Sequence, residues 1–152
     1  MATGEILGAL AMTEPGAGSD LAGVATRAVP DGDDWVVDGQ KVWTSGAHNA
    51  DFAILLARTD TSVPKHAGMT YFLVDMTDPG VEVRPLWQIT DEAHFNEVFI
   101  TDAFVPEENL LGPPGVLSDL SGPKEGQNIE ACVRNVWSEM ADWSRVEEET
   151  GG

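Results

Sequence analysis

The sequence predicts a mainly β fold, a small β-barrel or sandwich followed by one amphipathic helix. Three observations lead there. Clusters of Gly, Pro, Asp and Asn recur roughly every 8–15 residues up to Gly112, the spacing at which turns separate short strands. The runs between them are either wholly apolar or alternate apolar with polar, the two-residue period of a strand. No helical period is sustained until residues 129–143, where apolar residues return at three- and four-residue steps.

The elements follow in order. Residues 7–12 form an apolar first strand, and 24–29 a short second one. The turn Pro30-Asp31-Gly32-Asp33 leads into Trp35-Val36-Val37. Asp38-Gly39 reads as a two-residue hairpin turn, so residues 40–44 should run back, with Val42 and Thr44 on one face and Lys41 and Trp43 on the other. Residues 52–57 are nearly all apolar, as in a strand buried on both faces. Residues 58–65 form a polar loop, and 69–74 a second buried strand closed by Asp78-Pro79-Gly80. At 81–84 the alternation is clean, with Val81 and Val83 on one face and Glu82 and Arg84 on the other. Residues 97–100 and 103–105 make a last pair of strands ending at Pro106.

The 152 residues are enough for one domain. Residues 1–112 form the β-domain, and 113–127, rich in Gly, Pro and Ser, read as a linker. In the tail, 128–152, Ile129, Cys132, Val133, Val136, Trp137, Met140 and Trp143 share one helix face. Asn128 suits the N-cap, and Glu147 to Glu149 oppose the dipole at the far end, where the helix should fray.

Composition narrows the function. A net charge of -18 argues against nucleic acid or an anionic membrane as partner. It also means that any phosphate must be held by local N–H groups and hydroxyls. Cys132 stands alone, so no internal disulfide framework exists, and a reducing, cytoplasmic setting is expected. No apolar run approaches the roughly 18 residues of a membrane helix, and the first 13 residues lack the basic flank of a signal peptide.

The chemistry concentrates in Ala11-Met12-Thr13-Glu14-Pro15-Gly16-Ala17-Gly18-Ser19-Asp20. Here an apolar run meets a turn bearing hydroxyls, carboxylates and two glycines. Gly16 and Gly18 open backbone angles closed to other residues and allow a ligand close to the main chain. Successive N–H groups, with the hydroxyls of Thr13 and Ser19, can form an anion-binding concavity; a plain strand-ending loop capped by Ser19 or Asp20 fits the spacing equally. A dinucleotide fingerprint does not fit. Leu21 occupies the third glycine position, and Pro30, Asp31 and Gly32 interrupt the helix that should follow.

Trp43 and Ser45 form a second candidate. A tryptophan face can stack on a flat apolar ring, and a hydroxyl two residues on reaches the same side of a strand. The commoner role for such a tryptophan is core packing. His48, His66 and His94 lie 18 and 28 positions apart without metal-ligand spacing and read as surface residues. Ser45 with His48 is too local for a nucleophile–base pair.

Residues 11–23 resemble the signature of the acyl-CoA dehydrogenase family, with its Thr-Glu, its Gly-Ser-Asp triplet and a closing small residue. Gly39-Gln40-Lys41-Val42-Trp43-Thr44-Ser45-Gly46-Ala47 resembles the segment that lies against the flavin in that family. Residues 51–58, 68–75 and 95–106 are also similar, so the likeness covers roughly 1–112 and excludes the tail. It implies the family's middle β-barrel domain and FAD as cofactor. Leu10, Met12, Thr13, Gly18 and Ser19 would contact the cofactor, Met12 and Thr13 at the pyrimidine edge and Ser19 near the phosphates and the acyl-CoA. Trp43, Thr44 and Ser45 would lie against the ring, Ser45 keeping a hydroxyl where relatives often have Thr.

The activity implied is α,β-dehydrogenation of an acyl-CoA thioester. Its base is a carboxylate from a C-terminal helical domain, and nothing here matches that segment. Glu14 and Asp20 are therefore not assigned as acid and base, Glu14 serving the loop's own hydrogen bonds, and no catalytic residue is expected. Relatives reach this stretch only after a long helical domain, so Met1 is expected to correspond to an internal position. The expectation is a flavin-binding part of such an enzyme, inactive alone, with a partner chain supplying the helical domains or with self-association. The alternative is a non-enzymatic scaffold docking through its helical tail.

Overall fold

Residues 7–111 and 114–115 are described by the computed structural model. Strand β1 is Gly8–Ala11, β2 Arg27–Asp31, β3 Asp34–Ser45, β4 Phe52–Arg58, β5 Met69–Asp75, β6 Val81–Leu86, β7 Phe95–Val105 and β8 Leu110–Leu111. They form one sheet in the order β6-β7-β3-β2-β4-β5-β8, with β1 parallel to β4. Three short 3-10 turns, Leu21–Gly23, Ala47–Asn49 and Glu107–Asn109, are the helical elements among the described residues. None of the described helices is long and apolar enough to cross a membrane. The expected helix at 128–152 lies outside the described residues, as does most of the linker.

The two halves of the sheet share a core. Val37, Val98, Ile100, Ala103 and Val105 of β3 and β7 join Leu55, Phe72 and Val74 of β4 and β5 in one buried cluster. Trp35 meets Phe72 edge-on at 5.4 Å between ring centroids. β4 explains its own composition: Leu55 enters this cluster while its neighbour Leu56 enters a second one with Ala17, Ala22, Val24 and Met69. A strand that feeds a core on each face has no polar side. Fully burying each such side chain contributes about 1.5–3 kcal/mol.

Three expectations are corrected. The sheet is not closed into a barrel, because the path ends at β6 and β8, which do not pair with each other. Asp38-Gly39 is not a hairpin turn but the middle of the twelve-residue β3. The reversal comes earlier, between Asp31 and Asp34, which pair with each other, with Gly32 at a φ of 66° supplying the left-handed turn residue. Gly39 has a different task. A Cβ there would lie 2.3 Å from Thr26 Oγ1, so glycine lets β3 pass close to Thr26. Finally, residues 97–100 and 103–105 are one strand, β7, in which Thr101 and Asp102 together oppose Asp38 as a bulge. Asp102 takes a φ of 48°, and its N–H donates to the Asp38 carboxylate at 2.9 Å.

Candidate functional site

Beyond β1 the chain reverses at once. Glu14 and Ala17 exchange backbone hydrogen bonds, each 3.1 Å, leaving Pro15 and Gly16 exposed at the tip and Ala17 buried. Neither Gly16 nor Gly18 is among the described residues with positive φ, and a Cβ on either would meet nothing within 4 Å. Their contribution is thus open space over an exposed main chain rather than an unusual angle. Gly18, Ser19 and Asp20 follow, all exposed, and Asp20 pairs with Lys65 at 2.7 Å. Arg58 fixes the next turn by donating to the carbonyls of Ala22, Val24 and Lys65.

Glu14 is buried and anchors this loop. Its carboxylate accepts from the Ala25 N–H at 2.6 Å, the Thr26 N–H at 2.9 Å and Lys41 Nζ at 2.8 Å. Burial alone would raise its pKa, but the hydrogen bonds from Lys41, Thr26 and Ala25 hold it below the ordinary value. Burial pulls Lys41 the other way, below the usual lysine range, with Glu14 offsetting part of that. Glu14 is therefore committed to structure, as its expected service to the loop implies, and Asp20 is an exposed surface partner of Lys65. The two are not an acid–base pair.

The second segment meets the first through a bulge. Lys41 pairs with Val98 and Thr44 with Asn96, so Val42 and Trp43 together oppose Glu97. Two residues facing one is the signature of a β-bulge, which bends the strand and re-aims a side chain. Trp43 carries the distortion at a φ of 59°, a backbone state that is an outlier for a bulky residue. The Val42 N–H donates at 2.9 Å to the carbonyl of Thr13, tying β3 to the loop. The bulge also breaks the expected alternation: Lys41 and Thr44 are both buried, and Trp43 is exposed.

Of the expected cofactor contacts, Leu10 and Trp43 stand out as large apolar side chains left 61% and 59% exposed. Met12 and Thr13 are half-buried, and Gly18, Ser19 and Ser45 are exposed. Thr13 and β3 are joined directly through the Val42 bond. Trp43 leans on Phe95 edge-to-face at 5.8 Å, a contact not foreseen in the sequence. Thr44 differs from its neighbours. Its side chain is buried, its hydroxyl lacks a hydrogen-bond partner, and its carbonyl accepts from Asn96 Nδ2 at 3.0 Å. Asn96 also faces His48 Nδ1 at 3.2 Å. His48, His66 and His94 are exposed, and no metal-ligating cluster occurs among the described residues.

Lys41 is the residue the sequence reading passed over. The available signal was a lysine inside a strand otherwise bound for the core, in a chain with only 8 cations against 26 carboxylates. Chemically, the arrangement offers an exposed aromatic face, an exposed hydroxyl on the same stretch, and a glycine-lined loop with a second hydroxyl. That donor set suits binding and orienting a large planar ligand with a polar tail.

The sequence matches the family described as acyl-CoA dehydrogenase, middle domain, over residues 9–103. It is 56% identical over 109 residues to the acyl-CoA dehydrogenase FadE34 of Mycobacterium tuberculosis, covering 72% of this chain and 15% of that protein. Among solved structures it is similar to an acyl-CoA dehydrogenase of Geobacillus kaustophilus, with a TM-score of 0.71 at 42% identity over 75% of this chain and 31% of that one. It is also similar to a chain of the ChsE4-ChsE5 complex of Mycobacterium tuberculosis, with a TM-score of 0.71 at 35% identity over 79% of this chain and 32% of that one. The chain thus spans less than a third of the length of each of these proteins.

Proposed function

Because the chain belongs to the acyl-CoA dehydrogenase family through its middle β-domain, we propose that it supplies part of a site for FAD and an acyl-CoA thioester. The observation that carries this reading is the bulge at Val42 and Trp43. It leaves the Trp43 ring exposed at a strained φ of 59° while Val42 holds Thr13 at 2.9 Å. Strain in a bulky residue persists where the surroundings over-determine it, and such residues cluster at ligand sites.

In this reading Trp43 stacks on the flavin and the Ser45 hydroxyl donates to the ring. Leu10, Met12 and Thr13 line the pyrimidine side, Thr44 adds backbone, and Gly18 and Ser19 face the phosphates, Ser19 reaching the acyl-CoA as well. FAD, when bound, supplies the acceptor for the hydride from the substrate's β-carbon. The chain's own residues bind and orient. Glu14 is held by Lys41, Ala25 and Thr26, and Asp20 by Lys65, so we infer no dehydrogenation by this chain alone.

A partner chain carrying helical domains, or a second copy of this one, would complete the site. The similar ChsE4-ChsE5 structure is of a complex between two differently named proteins. Trp87 and Ile89, 74% and 105% exposed, add to the apolar surface that such association would cover. The cytoplasmic setting expected from the lone Cys132 belongs to the same proposal.

FAD titrated against the chain by fluorescence tests the reading. Weak binding is expected, weakened further in Trp43→Ala by about 0.5–1.5 kcal/mol, the worth of an aromatic contact beyond its area. Equal affinity of the two proteins would remove Trp43 from the site. With an artificial electron acceptor, no acyl-CoA-dependent reduction is expected, and steady turnover would overturn the assignment of a binding role alone.

A further inference from the structure

We propose that Lys41 is a positioning residue, holding the loop at Met12 and Thr13 against the Val42 and Trp43 bulge so that both present one fixed surface to the ligand. The proposal rests on the flavin reading of that surface.

The starting point is an ammonium group with no exposure. Desolvating a charge costs several kcal/mol, and a well-packed hydrophobe in place of a buried ion pair is often neutral or better for stability. Stability is therefore a poor account of Lys41. Glu14 gains from Lys41 at 2.8 Å, yet without it the carboxylate would still accept from the Ala25 and Thr26 N–H groups at 2.6 and 2.9 Å. Besides that ion pair, Lys41 adds the bond from Nζ to the Met12 carbonyl at 3.1 Å, which ties β3 to the loop.

That bond is one of a pair. Lys41 holds the carbonyl of Met12 through its side chain, and Val42 holds the carbonyl of Thr13 through its main chain at 2.9 Å. Two successive residues of β3 thus grip two successive residues of the loop. The Val42 N–H points to the loop where the β3–β7 register shifts, and the same shift sets Trp43 at its positive φ. Without the lysine the loop keeps one tether at this point and the strained bulge loses a support. Glu14 completes the device by holding the ammonium at 2.8 Å.

The test uses the full 152-residue chain, Lys41→Met, and the double variant Lys41→Met with Glu14→Gln, which leaves no unpaired buried charge and guards against a single variant that fails to fold. Amide hydrogen exchange is measured by NMR without FAD. Measured against Glu14→Gln alone, the Val42 amide of the double variant should exchange about tenfold faster or more, the loss of roughly one hydrogen bond's stabilisation, while Leu55 and Phe72 keep their protection. Unchanged Val42 protection, or an equal loss at all three amides, would overturn the proposal.

FAD titration of the same proteins supplies the second arm, with Kd expected to rise about tenfold in the folded double variant. An unchanged Kd beside a loosened Val42 would overturn the positioning role while leaving the site itself intact. If the unaltered chain also fails to bind FAD, the flavin reading falls, and the exchange result by itself decides whether Lys41 ties the loop to the bulge.

Discussion

Two strand pairs in this sheet are built to opposite specifications. β4 and β5 run through seven paired positions, from Phe52 with Asp75 to Arg58 with Met69, without a register shift. β3 and β7 shift twice, at Asp38 and at Val42 with Trp43, and put Trp43 and Asp102 at positive φ. The regular pair buries side chains on both faces. The irregular pair buries a lysine, exposes a tryptophan and lends a backbone N–H to a neighbouring loop. Both pairs feed the shared core, the irregular one through Val37, Val98, Ile100, Ala103 and Val105. Irregularity here is local, and of the two shifts the one at Val42 and Trp43 lies among the candidate ligand contacts.

The largest effects should come from the regular pair. Phe72, with no exposed surface and Trp35 against its ring, should cost about 3–5 kcal/mol on replacement by alanine, and Leu55→Ala about 2–5 kcal/mol. Urea unfolding measures both, and losses below 1 kcal/mol would mean that the shared core does not sit where β4 and β5 meet. Next comes Gly39→Ala, whose Cβ would fall 2.3 Å from Thr26 Oγ1 and 2.7 Å from Thr26 Cα. Because part of that obstacle is backbone, about 1–3 kcal/mol should be lost. Gly18→Ala is the control, since nothing lies within 4 Å of its Cβ; it should leave the melting temperature in place.

The same contrast explains what the sequence disclosed. β4, β5 and β6 are legible because their patterns are local: an apolar run means two buried faces, and Val81-Glu82-Val83-Arg84 alternates as it is buried. The bulges are not legible, because a period-two reading assumes an unbroken ladder and so placed Lys41 beside Trp43. Asp38-Gly39 carries a turn signal, yet its glycine answers to Thr26, a neighbour only in space. Trp43 and Ser45 stand out in the sequence by their chemistry at two-residue spacing and by resemblance to the family's flavin segment, and both are exposed. Lys41 was missed because its partner Glu14 lies 27 residues away, and burying a cation becomes intelligible only once that partner is in view.

A pH series probes the junction between the two regions. The folded pKa of Glu14 lies below its ordinary value of 4.5, burial being outweighed by hydrogen bonds. Its contribution is therefore fully present above pH 4.5 and is lost as pH falls through the lower, folded value. Glu14→Gln should be the less stable protein at pH 6, and the gap between the two should narrow below pH 4.5 as the native carboxyl takes up its proton. Parallel curves down to pH 3 would show that the Glu14 charge adds nothing to folding.

The smallest effect on the fold should belong to Trp43, the residue proposed to stack on the flavin. Replacing Trp43 by asparagine removes a ring that is 59% exposed and whose aromatic contact is Phe95 at 5.8 Å. Losing that edge-to-face contact costs about 0.5–1.5 kcal/mol. Against it stands the relief of a φ of 59°, a state worth about 1–3 kcal/mol of strain in a bulky residue and tolerated by asparagine. The two terms are similar in size and opposite in sign, so the urea midpoint should move little and the slope not at all. FAD affinity should nevertheless fall, because the stacking face is gone. A destabilisation above about 2 kcal/mol, the scale of a buried side chain, would instead make Trp43 part of the core, and the bulge would then serve packing rather than presentation.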